Sequence, residues 1–368
     1  TKRMPKTKRK RRFRPGRLIL LVAALLVVIG MACAAYGYFS LKAPGDGNKE
    51  IEFEIKEGES FDSVLDSLQE QGMIRNAQTA SLYAKMTHHQ MYYAGVFLLS
   101  NDMSVKDILS TISDPDNAMD QSVKFTIPEG QWAKEIAANL SKQLPFTQKQ
   151  ILAQWNDETY IRTLAKDYEF LDPSVLDNDA IKVKLEGYLF PETYSIDRDA
   201  TLDEVTRTFL DQFERVYDKY KAQFASSGMS VEQVVTLASI IQFESGSVQD
   251  MKEISGVFHN RLAQDMKLES SVTVCYALYD DFNSPQDCET QIDIDSPYNT
   301  YQNSGLPVGP ILNPGEDAIA AALEPNDNDY LFFAADIYNV KSDPGKVYYS
   351  TNYEDHEKLV HELNLVIE

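Results

Sequence analysis

Ser230-Val-Glu-Gln-Val-Val-Thr-Leu-Ala-Ser-Ile-Ile-Gln-Phe-Glu244-Ser245-Gly246 is the stretch whose reading decides the fold. Ser230 followed by Gln233 is a capping-box start, and Gly246 is the expected stop, so the run predicts one helix. Val234, Leu237 and Ile241 recur at spacings of three and four and are expected on one buried face. The next residue on that face is Glu244. A carboxylate that extends an apolar stripe has its charged form disfavoured by burial, which raises its pKa. An acid still protonated near neutral pH is what general-acid catalysis requires. The plainer reading is a solvated glutamate just past the core.

Around this helix stand Val257-Phe-His-Asn-Arg-Leu262, Leu185-Glu-Gly-Tyr-Leu-Phe-Pro-Glu-Thr-Tyr194, Tyr298-Asn-Thr-Tyr301 with Gly305-Leu-Pro307, and Gly309-Pro-Ile-Leu-Asn-Pro-Gly315. With Leu237 to Glu244 they resemble, in order and spacing, the MltG/YceG-like family of endolytic murein transglycosylases. The resemblance runs from about residue 50 to the C-terminus. It implies that Glu244 is the catalytic glutamate. Many relatives carry a second glutamate at Gln242, and most have Asp-Pro at Ser271-Val272, so no role is carried over to either departure. Thr273 is retained and is expected near the substrate.

Residues 1–17 are dense in Lys and Arg, and Leu18 to Phe39 carries no charge. That order predicts a basic cytoplasmic tail and a retained transmembrane helix over 18–39, with the chain beyond Ser40 outside the cytoplasm. A cleaved signal peptide is the competing reading; Ala32-Cys-Ala34 is only a faint cleavage site. The formal net charge is −21 despite the basic tail, which argues against nucleic acid or other polyanions and is compatible with neutral glycan or peptide stems.

Pro44-Gly-Asp-Gly-Asn48 reads as a flexible linker within 40–50. A strand at Ile51–Ile55, helices at Phe61–Gln71 and about Ala80–Met86, a strand at Tyr93–Leu99 and a helix at Ser104–Ile112 follow. This β-α-α-β order resembles a LysM-like module over 51–120, with glycan binding and a mere spacer both open. Residues 121–368 are expected to form a mixed α/β catalytic domain, which makes the whole α+β. Its readable elements are a strand from Val123, helices at Trp132–Leu140 and Thr147–Trp155, strands at Tyr330–Ala335 and Val347–Ser350, and a last helix over Asp355–Leu365.

No His-x-x-x-His or Cys-x-x-Cys pair predicts a metal, and neither a nucleophile elbow nor a phosphate loop is present, so no cofactor is expected. Glu186 stands beside a glycine, with Tyr188 and Tyr194 near it; rings that pack on sugar faces and a carboxylate that bonds hydroxyls suit substrate binding, and a packed turn is the alternative. Asn260 is a candidate for a sugar amide and Arg261 for a stem carboxylate or an internal pair. Tyr298, Asn299 and Tyr301 offer polar tips in a loop that suits a glycan cleft. Cys275 and Cys288 flank a turn-rich insert, Tyr279 to Asp287; they either close it as a disulfide or remain separate thiols.

Ordinary glycosidases use two carboxylates. The resemblance implies a reaction needing one: Glu244 protonates the glycosidic oxygen, then deprotonates the muramic C6 hydroxyl that closes a 1,6-anhydro ring. It also implies cleavage within nascent strands, ending their elongation, beside cell-wall synthases. A water-using muramidase and a non-catalytic wall-binding scaffold are the alternatives.

Overall fold

The uncharged run after the basic tail forms helix α1 (Pro15–Ser40). Its Leu20–Ser40 segment is long and apolar enough to cross a bilayer, and all of it except Gly37 and Ser40 is exposed. In this computed structural model residues 15–119, 122–172, 178–336, 340–341 and 345–365 are described, so most of the basic tail lies outside them. The chain divides into two units, Thr1–Gln121 and Ser122–Glu368.

In the first unit, the stretch expected to be a flexible linker is tied down. Val105 N–H donates to the Leu41 carbonyl at 3.1 Å and Gly45 N–H to the Asn101 carbonyl at 2.7 Å. Gly47 N–H donates to Asn101 Oδ1 at 2.9 Å and Arg75 to the Ala43 carbonyl at 2.9 Å. A Cβ at Gly45 would stand 2.2 Å from the Asn101 side chain, so this glycine serves close approach rather than freedom.

Beyond it come β1 (Glu50–Ile55), α2 (Phe61–Glu70), α3 (Ala77–Thr87), β2 (Gly95–Ser100) and α4 (Val105–Ile112). Ser60, Asn76 and Ser104 cap the three helices with their side chains. β1 and β2 pair antiparallel with Phe53 opposite Phe97. Phe53, Ile55, Leu65, Leu68, Ile108 and Leu109 close one core.

In the second unit β3 (Ser122–Thr126) precedes α5 (Ala133–Leu140), α6 (Gln148–Trp155) and α7 (Glu158–Leu164), and then pairs antiparallel with β4 (Thr193–Asp197). Next come α8 (Leu202–Lys219), α9 (Lys221–Ser226), α10 (Val231–Glu244) and α11 (Val248–Ala263). They are followed by α12 (Ser271–Leu278), α13 (Pro285–Thr290) and α14 (Glu316–Leu323). The chain closes with β5 (Phe332–Ala335), β6 (Val347–Ser350) and α15 (Tyr353–Glu362). The insert read as turns thus contains the start of a short helix, α13.

Helix α10 carries the expected capping box of Ser230 and Gln233 and ends at Glu244, with Ser245 in extended backbone one residue before Gly246. It has no exposed middle. Every residue from Val234 to Ile241 is buried, because α11, α12 and α14 pack around it. The single apolar stripe expected from spacing is therefore replaced by burial on all sides. Its polar groups are satisfied: Ser239 Oγ donates to the Thr236 carbonyl at 2.7 Å and accepts from Ile311 N–H at 3.0 Å.

Candidate active site

Burial on all sides brings α10 through the core and delivers its last residue to a cleft of about 600 Å³. Glu244 opens onto this cleft with Arg261, the Leu268–Ser271 segment, Glu289 of α13, Tyr301, β5, and Tyr353 and His356 of α15. Its lining is mixed, with charged, aromatic and aliphatic side chains. Ser270 Oγ donates to Glu244 Oε1 at 2.7 Å. Ser270 is itself clamped: its N–H donates to Thr300 Oγ1 at 3.1 Å, and its carbonyl accepts from Thr273 Oγ1 at 2.7 Å. Thr273 and Thr300 hydroxyls lie 2.9 Å apart. Burial pushes the Glu244 carboxyl up to about 7; the Ser270 hydroxyl opposes the shift, and the charge of Glu289 adds to it.

Cys275 of α12 and Cys288 of α13 form a disulfide with a Cα–Cα distance of 4.8 Å. It fixes α13, and with it Glu289, as one wall of the cleft. Ser271, where the family resemblance expects an aspartate, also lines the cleft. The other cleft carboxylates are Glu269 and Glu289, both exposed.

Of the residues expected near substrate, Arg261 and Tyr301 line the cleft with Glu244. Arg261 is buried and already engaged: Nε donates to the Leu331 carbonyl at 2.6 Å, and one terminal nitrogen to the Lys267 and Leu268 carbonyls at 3.0 and 2.9 Å and to Glu269 at 3.3 Å. Thr273 is buried and reaches Glu244 only through Ser270. Asn260 is spent on the Asn328 and Tyr330 carbonyls at 2.9 and 3.0 Å. Asn299 is buried and holds its own loop through the Ile292 and Ile294 carbonyls, both at 2.8 Å. Tyr298 is buried against Tyr276, with its hydroxyl accepting from Lys182 N–H at 3.2 Å.

Glu186, Tyr188 and Tyr194 lie in the core, away from the cleft. Tyr188 packs between Phe170 and Phe213, and Tyr194 donates to the Phe190 carbonyl at 2.5 Å. Glu186 is 1% exposed. Its carboxylate accepts from Ala133 N–H at 2.8 Å, Asn313 Nδ2 at 2.7 Å and Tyr276 hydroxyl at 2.9 Å. Burial still pushes it to about 8. Gly187 beside it has φ +88°, and a Cβ there would meet Pro310 and Val235 at 2.7 Å, so this turn admits glycine alone. Gln242 accepts from Gly315 N–H at 2.9 Å and tethers that loop.

Ser270, Thr300 and Glu289 were not legible in the sequence as site residues. Ser270 lies 26 positions from Glu244, and no local pattern links them.

Fold and site together define an α+β protein with a partly shielded glutamate at the end of a core helix, opening on a cleft that also holds the exposed Glu269 and Glu289. Residues 53–362 match the YceG-like family, and the chain belongs to it. It is 32% identical over 361 residues to an endolytic murein transglycosylase of Streptococcus pneumoniae serotype 2, covering 93% of this chain and 64% of that protein. The chain thus spans under two thirds of the pneumococcal relative's length. It is 31% identical over 322 residues to the endolytic murein transglycosylase of Bacillus subtilis, covering 85% of this chain and 84% of that one. The crystal structure of a yceG-like protein from Listeria monocytogenes is similar with a TM-score of 0.57 and 33% identity, covering 84% of this chain and 99% of the other.

Proposed function

We propose that this chain is a membrane-anchored endolytic murein lytic transglycosylase, cleaving MurNAc–GlcNAc bonds in nascent peptidoglycan and ending strand growth. The observation that carries the reading is Glu244: a carboxyl held up to about 7 that opens onto a cleft and takes one hydroxyl donor. Ser270 occupies Oε1, which leaves Oε2 to carry the proton. Glu244 gives that proton to the glycosidic oxygen as the bond to the anomeric carbon breaks. The resulting carboxylate takes the proton of the muramic C6 hydroxyl, whose oxygen bonds the anomeric carbon. The proton count closes, no water is consumed, and the product end is a 1,6-anhydro sugar.

The names of the pneumococcal and Bacillus relatives support this activity. Helix α1 supplies the single-pass anchor, with the basic tail cytoplasmic and the cleft outside. The β1–α4 module acts as a LysM-like glycan holder, and wall synthases are the partners. Mass spectrometry of digested glycan strands tests the reading. Ends lighter by one water than reducing ends are expected; reducing ends alone make the chain a muramidase, and uncut strands make it a scaffold.

A further inference from the structure

Strand β5 borders the cleft with four consecutive residues, Phe332, Phe333, Ala334 and Ala335. Successive side chains of a strand point to opposite faces, so four in a row line one cavity only when the strand's edge looks into it. Both faces of β5 are covered. Phe333 packs against Phe258 of α11, with ring centres 5.8 Å apart. Ala334 packs with Leu359 and Leu363, and Phe332 stacks on His356. β6 occupies one edge, and among the described residues no strand pairs with the other.

The ladder fixes which groups face the cleft. Asp336 N–H donates to the Lys346 carbonyl at 2.9 Å, and the register sets Ala334 opposite Tyr348. Antiparallel pairing alternates direction along the strand, so Phe333 and Ala335 turn their N–H and C=O groups outward to the free edge. The Leu331 carbonyl points the same way and is taken by Arg261 Nε; its N–H, just before the strand, bends back to Ser350. Phe333 and Ala335, which line the same cleft as Glu244, are thus left as a template for an added strand.

We propose that the peptide stem of the glycan substrate docks in extended form along this edge, bonding Phe333 and Ala335 while its muramic sugar sits at Glu244. The proposal rests on the glycan-cleaving reading above. The occupant follows from continuity and charge. A stem leaves the muramic residue that Glu244 must reach, so its first residues lie in the same cleft. Phe333 and Ala335 stand about 6.6 Å apart at 3.3 Å per residue, a span that a short stem covers. Glu269 and Glu289 present exposed carboxylates to the cleft, whereas Arg261 is occupied by backbone carbonyls and Glu269. These carboxylates therefore suit the side-chain amine of a stem such as L-Ala-γ-D-Glu-L-Lys-D-Ala, whose own two carboxylates must turn to solvent.

Hydrogen exchange on the full-length Glu244→Gln protein tests this. That free tetrapeptide and stem-bearing strands should each slow exchange over residues 332–336 by about tenfold, whereas strands stripped of stems should not. Equal protection by stripped strands, or none from either stem probe, overturns the proposal. Protection by the tetrapeptide, where the unaltered protein cuts no strand, supports the edge while removing the catalytic reading. Ala335→Pro deletes an edge N–H that the ladder does not use. The KM of stripped over stem-bearing strands, above one in the unaltered protein, should fall to one in that variant; an unchanged ratio also overturns the proposal.

Discussion

Glu244 and Glu186 are both carboxylates that burial holds above their ordinary range, to about 7 and about 8, yet their surroundings are opposite. Glu186 is enclosed and receives hydrogen bonds from Ala133, Asn313 and Tyr276, which join α5, α12 and the 313 loop. Glu244 takes one hydroxyl bond from Ser270 and opens onto the cleft. A raised pKa is therefore no mark of catalysis by itself. Access separates the two: a proton that cannot leave the core does structural work, and one at a cleft wall can be exchanged with substrate.

The largest effect that tests this contrast is at Glu244. Glu244→Gln keeps shape and reach but carries no transferable proton, so strand cleavage, followed by release of soluble fragments, should fall about 10²–10⁴-fold with folding intact. Cleavage near the unaltered rate would end the assignment. The counterpart is Glu186→Ala, which strands three buried donors and should cost about 3 kcal/mol in urea unfolding. A loss of activity without loss of stability there would erase the contrast.

Glu186→Gln sharpens it through pH. A carboxyl raised to about 8 binds its proton more tightly folded than unfolded, so its contribution is fully present below the ordinary glutamate range. It is lost as pH rises through 8, at up to about 1.4 kcal/mol per pH unit. Thermal unfolding from pH 5 to 9 should show this decline, and Glu186→Gln should flatten it.

Replacing Cys275 and Cys288 with serine opens a 13-residue separation and should cost about 2–3 kcal/mol by chain-entropy reasoning. If α13 is a working wall of the cleft, KM for strands should rise with it; calorimetry and kinetics together report both.

The smallest effect is expected from Ser270→Ala. The Ser270 hydroxyl lowers the Glu244 pKa, so removing it raises that pKa. The acid is active while protonated, and the alkaline limb of the rate profile should move to higher pH. A shift to lower pH would contradict the proposed role of Glu244 as the acid.

The sequence by itself determined what local chemistry determines. The capping box at Ser230, the spacing that buries Val234, Leu237 and Ile241, the uncharged run of α1 and the β-α-α-β order before residue 113 were all legible, because caps and periodicity act within a few residues. Glu244 was legible as a carboxylate on an apolar path. The tertiary structure decided which polar residues share its cleft. Glu186, Tyr188 and Tyr194 read like a sugar platform but pack into the core, since a buried turn uses the same aromatics and glycine as a binding loop. Asn260 and Asn299 satisfy loop carbonyls instead. Ser270, Glu289 and the β5 edge come to Glu244 across long chain separations, held by the Thr273–Thr300 pair, the disulfide and antiparallel pairing with β6. Which distant elements meet is fixed by packing around α10, and no local pattern encodes that.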